Sequence, residues 1–95
     1  MIQERNPELN ETLFTSMAAM FGSIISAKRM QNGLSQQELA DGIDVPFNMV
    51  AKMEGGNKVS IAEYEKAFKF LGLTSTEVAE QVIALQKKYD AYLKD

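Results

Sequence analysis

Leu34 to Gly56, LSQQELADGIDVPFNMVAKMEGG, carries the start and stop signals of two short helices joined by a tight turn. Ser35-Gln-Gln-Glu38 is a capping box: the Ser hydroxyl meets the Glu38 amide, and the Glu38 carboxylate reaches back to the Ser35 amide. The helix that it opens is predicted to run to about Gly42. Pro46 marks the start of the second helix, about Phe47 to Glu54, since its fixed φ suits a first helical turn. Gly55-Gly56 ends it. Leu39 and Ala40 fall on the inner side of the first helix, Val50 and Met53 on the inner side of the second, and Ile43 and Val45 flank the turn. Ala40 is small enough to let two helices cross closely. The pattern predicts a small triangular core with one face of the second helix left outward.

Working outward, every segment reads as helix. Asn6-Pro7-Glu8 is a start signal, with a capping Asn, Pro at the first helical position and an acid in the first turn. Leu9, Leu13, Met17, Met20 and Ile24 follow at helical spacing, with Phe14, Phe21 and Ile25 alongside. Gly22 weakens the middle, so this stretch is either one long helix or two. Lys28 and Arg29 suit its C-terminal end, and Asn32-Gly33 supplies the stop. Ser60-Ile-Ala-Glu63 is a second capping box, opening a helix that closes at Gly72, and Thr74-Ser-Thr-Glu77 is a third, opening the last helix. Val78, Val82, Leu85, Tyr89 and Tyr92 recur there at heptad spacing, widened by Ile83 and Leu93. No run of alternating β-branched residues suggests a strand, and there is no internal repeat.

The 95 residues suffice for one domain with a modest core. Hydrophobic residues make up 45% and charged residues 24%, the balance of a soluble globular chain. There is neither Cys nor His, which removes disulfides, thiolate or imidazole metal sites, Cys nucleophiles and imidazole bases. A cytoplasmic setting fits that composition. Met17 to Ala27, the longest apolar stretch, is too short to span a bilayer, so no membrane partner is expected. The acidic N-terminus lacks the basic start of a signal peptide. Net charge is −3, and no segment is a basic patch: Lys28, Arg29, Lys52 and Lys58 are offset by Glu38, Asp41, Asp44 and Glu54. Strong non-specific binding to nucleic acid, which depends on neutralising phosphates, is therefore not expected.

The order of NGLSQQELADGIDV and VAKMEGGNKVSIAEYEKAFKFLGL resembles the Cro-type phage-repressor helix-turn-helix family, also called XRE, over roughly residues 20 to 73. The carriers are Leu34-Ser35-Gln36, Glu38-Leu39-Ala40, Met53-Glu54-x-Gly56 and Leu71-Gly72-Leu73. The resemblance implies a bacterial or phage protein with a five-helix, lambda-repressor-like fold. It also implies a dimer whose third helix lies in the major groove. In this chain the N-terminal helix is extended and a C-terminal amphipathic helix, about residues 76–94, completes the domain.

Carried over position by position, Gln36 opens the second helix and bonds a phosphate. Phe47, Asn48 and Lys52 take the base-facing positions, and Asn57 and Lys58 lie where the loop touches phosphate. Glu54 is structural. Two departures stand out. Asp44 occupies a turn position that is often Gly, and Phe47 replaces a polar reader. Asp tolerates left-handed geometry, and Phe47 can pack on a thymine methyl while Asn48 pairs with adenine.

The expected function is a sequence-specific DNA-binding transcription regulator, most simply a dimeric repressor that occludes a promoter at a palindromic operator. Val78, Val82, Leu85, Tyr89 and Tyr92 are the candidate dimer seam, alone or with the N-terminal helix. The competing reading is a protein-interaction module, antitoxin-like or anti-repressor-like, suggested by the acidic balance and the apolar Phe47 and Met49. No nucleophile, metal or phosphate-cradle motif points to an enzyme, and no cofactor is expected.

Overall fold

The computed structural model describes residues 17–57 and 59–94, the side chains of Tyr89, Tyr92, Leu93 and Lys94 excepted. Five helices follow one another: α1 (Met17–Gln31), α2 (Gln36–Ile43), α3 (Phe47–Glu54), α4 (Ile61–Phe70) and α5 (Ser75–Lys94). No strand occurs among the described residues, so the domain is all-α. The expected helix start at Asn6-Pro7-Glu8, and the apolar positions Leu9, Leu13 and Phe14, lie outside the described residues.

The sequence signals act where they were read, with one correction. At Ser35 the capping box closes in both directions: the Glu38 amide donates to Oγ at 3.0 Å and the Ser35 amide to the Glu38 carboxylate at 2.8 Å. The Thr74–Glu77 box closes likewise, at 3.1 and 2.9 Å. Those bonds hold the exposed Glu77 carboxyl below its ordinary range. At Ser60 only half a box forms. The Glu63 amide donates to the Ser60 hydroxyl, but the Glu63 carboxylate turns along its own helix to within 3.8 Å of Lys66. After α1, the Leu34 amide reaches back to the Arg29 carbonyl and the Gly33 amide to that of Met30, with Gly33 at φ 72°. That left-handed residue closes the helix as the Asn-Gly pair predicts.

The core forms where these helices meet. Ile25, Leu39, Ala40, Val50, Met53 and Ala67 are wholly buried, so the inner positions read for α2 and α3 are the ones that pack. Tyr64 adds an aromatic group, its ring edge-on to Phe21 at 5.0 Å, while its hydroxyl donates to the Asn57 carbonyl at 3.2 Å. Val78, Val82 and Leu85 of α5 pack half-buried against this same core. Beside them α1, α4 and α5 bound an open groove of about 800 Å³, lined by Phe21, Ile61, Phe68, Val78, Val82 and Ile83 among others.

Gly22 does not interrupt α1, which runs unbroken from Met17 to Gln31. The glycine is there for space: a methyl group on it would collide with the Met53 carbonyl oxygen at the end of α3. Glycine inside a helix costs about 1 kcal/mol relative to alanine. Forcing an atom into a packed backbone contact costs about 1–3 kcal/mol, so the collision outweighs the propensity gain. Gly22→Ala should accordingly lower unfolding stability by about 1–2 kcal/mol, read as the midpoint of urea denaturation. A stabilised variant would show that α1 and α3 do not approach this closely.

Candidate nucleic-acid interface

The turn between α2 and α3 is made by Asp44, Val45 and Pro46. Asp44 sits in the left-handed region at φ 58° and ψ 52°, and its amide closes on the carbonyls of Ala40 and Asp41. A short polar side chain bears that conformation better than a bulky one, so the turn survives without glycine. Pro46 stands at the start of α3 as its sequence signal suggested, as the N-cap with φ −63° and ψ 150°. It offers no side-chain hydrogen bond, so the first amides of α3 are uncapped by any side chain.

With Val50 and Met53 turned inward, α3 presents Phe47, Asn48, Ala51 and Lys52 outward. Asn48 and Lys52 lie one turn apart on one stripe, and Phe47 and Ala51 on the next. Phe47 keeps 44% of its surface exposed, a large amount for a ring that could have entered the core. Ala51 was not singled out from the sequence, where it reads as a helix former. Its place beside Phe47, Asn48 and Lys52 leaves a small, flat spot on the outward face of α3.

Asn57 follows α3 and is exposed, but it already serves the fold. Its backbone amide donates to the Lys52 carbonyl at 3.0 Å, its side-chain amide lies 3.5 Å from the same oxygen, and its carbonyl accepts from Tyr64. Lys58 lies outside the described residues. Gln36 opens α2 as predicted, but its side chain is not simply solvated: Nε2 donates to Glu54 Oε1 at 3.0 Å.

That bond belongs to a network the sequence did not reveal. Arg29, near the end of α1, grips Glu54 at the end of α3 through Nε at 2.6 Å and Nη2 at 3.0 Å, and its Nη1 donates to the Leu34 carbonyl at 2.7 Å. Both side chains are largely buried, at 13% and 7% exposure. The hydrogen bonds that Arg29 donates to Glu54 raise its pKa further, against the opposing effect of burial. In the sequence Arg29 is a cation suited to a helix C-terminus, whereas its partner in the fold is 25 residues away. Glu54 is structural, as the resemblance implied. Among the described residues, the free positive charge on the outward face of α3 is therefore Lys52.

The helix-turn-helix family model matches residues 25–80, well over half of the 95 residues. The chain belongs to the Cro/XRE-type helix-turn-helix family. The family is one of DNA-binding transcription regulators. The matched span takes in the second half of α1, all of α2, α3 and α4, and the start of α5. No curated protein and no solved structure matches the chain. No helix among the described residues is long and apolar enough to cross a membrane.

Removing one partner of a buried ion pair strands the other, at about 3 kcal/mol, whereas replacing both with apolar groups is often close to neutral. Arg29→Met should thus destabilise the helix-turn-helix domain by about 3 kcal/mol, and adding Glu54→Leu should restore most of that loss in equilibrium unfolding. Additive losses in the double variant would mean that the pair is not a mutually compensated unit.

Proposed function

We propose that the protein is a dimeric repressor that inserts α3 into the major groove of a palindromic operator and occludes a promoter in the cytoplasm. The observation that carries this reading is the outward face of α3. Asn48 offers a bidentate pair for adenine, Phe47 and Ala51 offer apolar surface for thymine methyls, and Lys52 offers a guanine or phosphate contact. Gln36, Asn57 and the next residue in the chain, Lys58, are the phosphate contacts of this reading, which fix register without reading sequence. This set of groups favours sites containing A·T pairs.

Charge sets the character of the binding. Arg29 is consumed by Glu54, so each protomer brings about two lysines, Lys52 and Lys58, to phosphate, and a dimer about four. The slope of log affinity against log salt should be about −4, shallow for a protein of this class. Selection of duplexes from a random library, followed by anisotropy titration at several salt concentrations, tests the reading. The expected result is an enriched palindrome whose affinity falls in Lys52→Ala, with the slope reduced by about two for the dimer. No enrichment by folded protein would sink it.

The dimer is assigned to the α5 side. Val78, Val82 and Leu85 of the heptad seam are committed in part to the chain's own core, so substitutions there would test folding as much as association. Ile83, at 55% exposure, and Ile61, at 64%, stand at the groove beside them with no core to fill. Ile83→Glu should leave the thermal transition within a few degrees of native and shift the protein to monomer in sedimentation. An unchanged sedimentation profile would move the dimer contact elsewhere.

One observation favours the second reading, a module that binds another protein. The apolar groove, with Ile61 and Ile83 at its edge, is of a size that a partner helix could fill. Under that reading the salt-dependent operator binding is absent, and loss of the exposed isoleucines abolishes a stoichiometric complex without affecting DNA.

A further inference from the structure

The Gln36–Glu54 bond is more than a tie between α2 and α3. We propose that Glu54, neutralised by Arg29, is a positioning residue for DNA binding, which locks the Gln36 amide so that its remaining N–H is delivered to a backbone phosphate. The proposal rests on the DNA-binding reading above.

A glutamine side chain at the mouth of an interface rotates, and its amide can present either N–H donors or a carbonyl oxygen. Only the donors suit a phosphate; the oxygen repels it. Glu54 decides between them. An ionised carboxylate accepts hydrogen bonds and cannot donate, so the amide group 3.0 Å from Oε1 must be the NH₂ end. One of its hydrogens is taken by Glu54, and the other is left for a second acceptor.

The carboxylate is itself fixed. Its Oε2 is held by Arg29 Nε and its Oε1 by Arg29 Nη2, while Arg29 is anchored at the far side to the Leu34 carbonyl, two residues before Gln36. Arg29 serves a further purpose here: an unpaired carboxylate this close to the phosphate that Gln36 contacts would repel the anion, and the guanidinium cancels that charge. Pre-ordering a long, rotamer-rich side chain removes an entropy cost that would otherwise be met on binding.

A merely structural Gln36–Glu54 bond predicts a different pattern of affinities, and a double-mutant cycle separates the two. The full-length protein and its variants are titrated with the selected operator by anisotropy, each at a temperature well below its own melting transition. In the native background Gln36→Ala should weaken binding about tenfold, as expected for a lost hydrogen bond to a charged group. In a Glu54→Gln background, where the neutral amide no longer selects the orientation, the same substitution should cost about twofold or less. Lys52→Ala, outside the network, should cost the same factor in both backgrounds. Should Glu54→Gln fail to fold, Glu54→Asp replaces it, since it keeps a carboxylate near Arg29 but falls short of Gln36 by one methylene.

An equal penalty for Gln36→Ala in both backgrounds would overturn the positioning role and leave the DNA reading intact. So would a native background in which Lys52→Ala weakens binding and Gln36→Ala does not. Absence of any operator binding by the folded native protein, with Lys52→Ala equally silent, would instead remove the DNA reading and the positioning role together.

Discussion

The ion pair between Arg29 and Glu54 fixes how α1 meets α3, and the interface depends on it. Both residues lie near the C-terminal ends of their helices, where the dipole is negative. Glu54 alone is thus poorly placed: a carboxylate at a helix C-terminus, largely buried, in contact with a second helix end. Arg29 offsets all three disadvantages at once by placing two hydrogen bonds and a positive charge on it. Gly22 makes the geometry possible. It lies seven residues before Arg29, about two turns back on the same face, and its missing side chain admits the Met53 carbonyl. One face of α1 therefore lies directly on the end of α3, fixed by an absent methyl group at one point and an ion pair at the other.

The same pair determines what the outer surface can offer. A chain with net charge −3 has few cations to spare, and this one commits Arg29 to an internal partner. The remaining outward groups on α3 are an aromatic ring, an amide, a methyl and one lysine. In the proposed complex, such a set discriminates through base edges and shape more than through bulk attraction to phosphate. There the ordered amide of Gln36 supplies a neutral donor in place of charge. Weak electrostatic attraction lowers affinity for every sequence alike, so a larger share of the binding free energy comes from contacts that distinguish one site from another.

The groove bounded by α1, α4 and α5 obeys different physics. Val78, Val82 and Leu85 reach the core through a heptad stripe on α5, yet the groove they border stays open and its isoleucines stay exposed. Isolated exposed apolar residues are ordinary, but here several gather around one concave surface. The domain thus has two distinct faces: a polar, sparsely charged face on α2 and α3, and an apolar one between α1, α4 and α5.

How much of this was legible in the chain follows from the range over which each interaction acts. Ser35 and Glu38, Thr74 and Glu77, and Asn32-Gly33 are local devices spanning a few residues, and the caps and ends they announce are present in the structure. Leu39, Ala40, Val50 and Met53 were identifiable as core because helical periodicity alone puts them on one side. The outward face of α3 was legible for the same reason, as its complement. Ser60 shows the limit even locally: the hydroxyl caps as expected, but the Glu63 side chain had a choice, and a lysine one turn on took it. Arg29, Glu54 and Gln36 could not be joined from sequence, because the pairing acts across 25 and 18 residues and depends on three helix directions. The heptad stripe of α5 was visible, but whether it met a partner or its own core depended on where α1 and α4 left room. By itself, the sequence determined the helices, their ends and their inner faces, since those follow from neighbours within one turn. Only the tertiary structure decided which charges cancel, which glycine is a contact and which amide is held in place, since those depend on which distant residues the packed helices bring into reach.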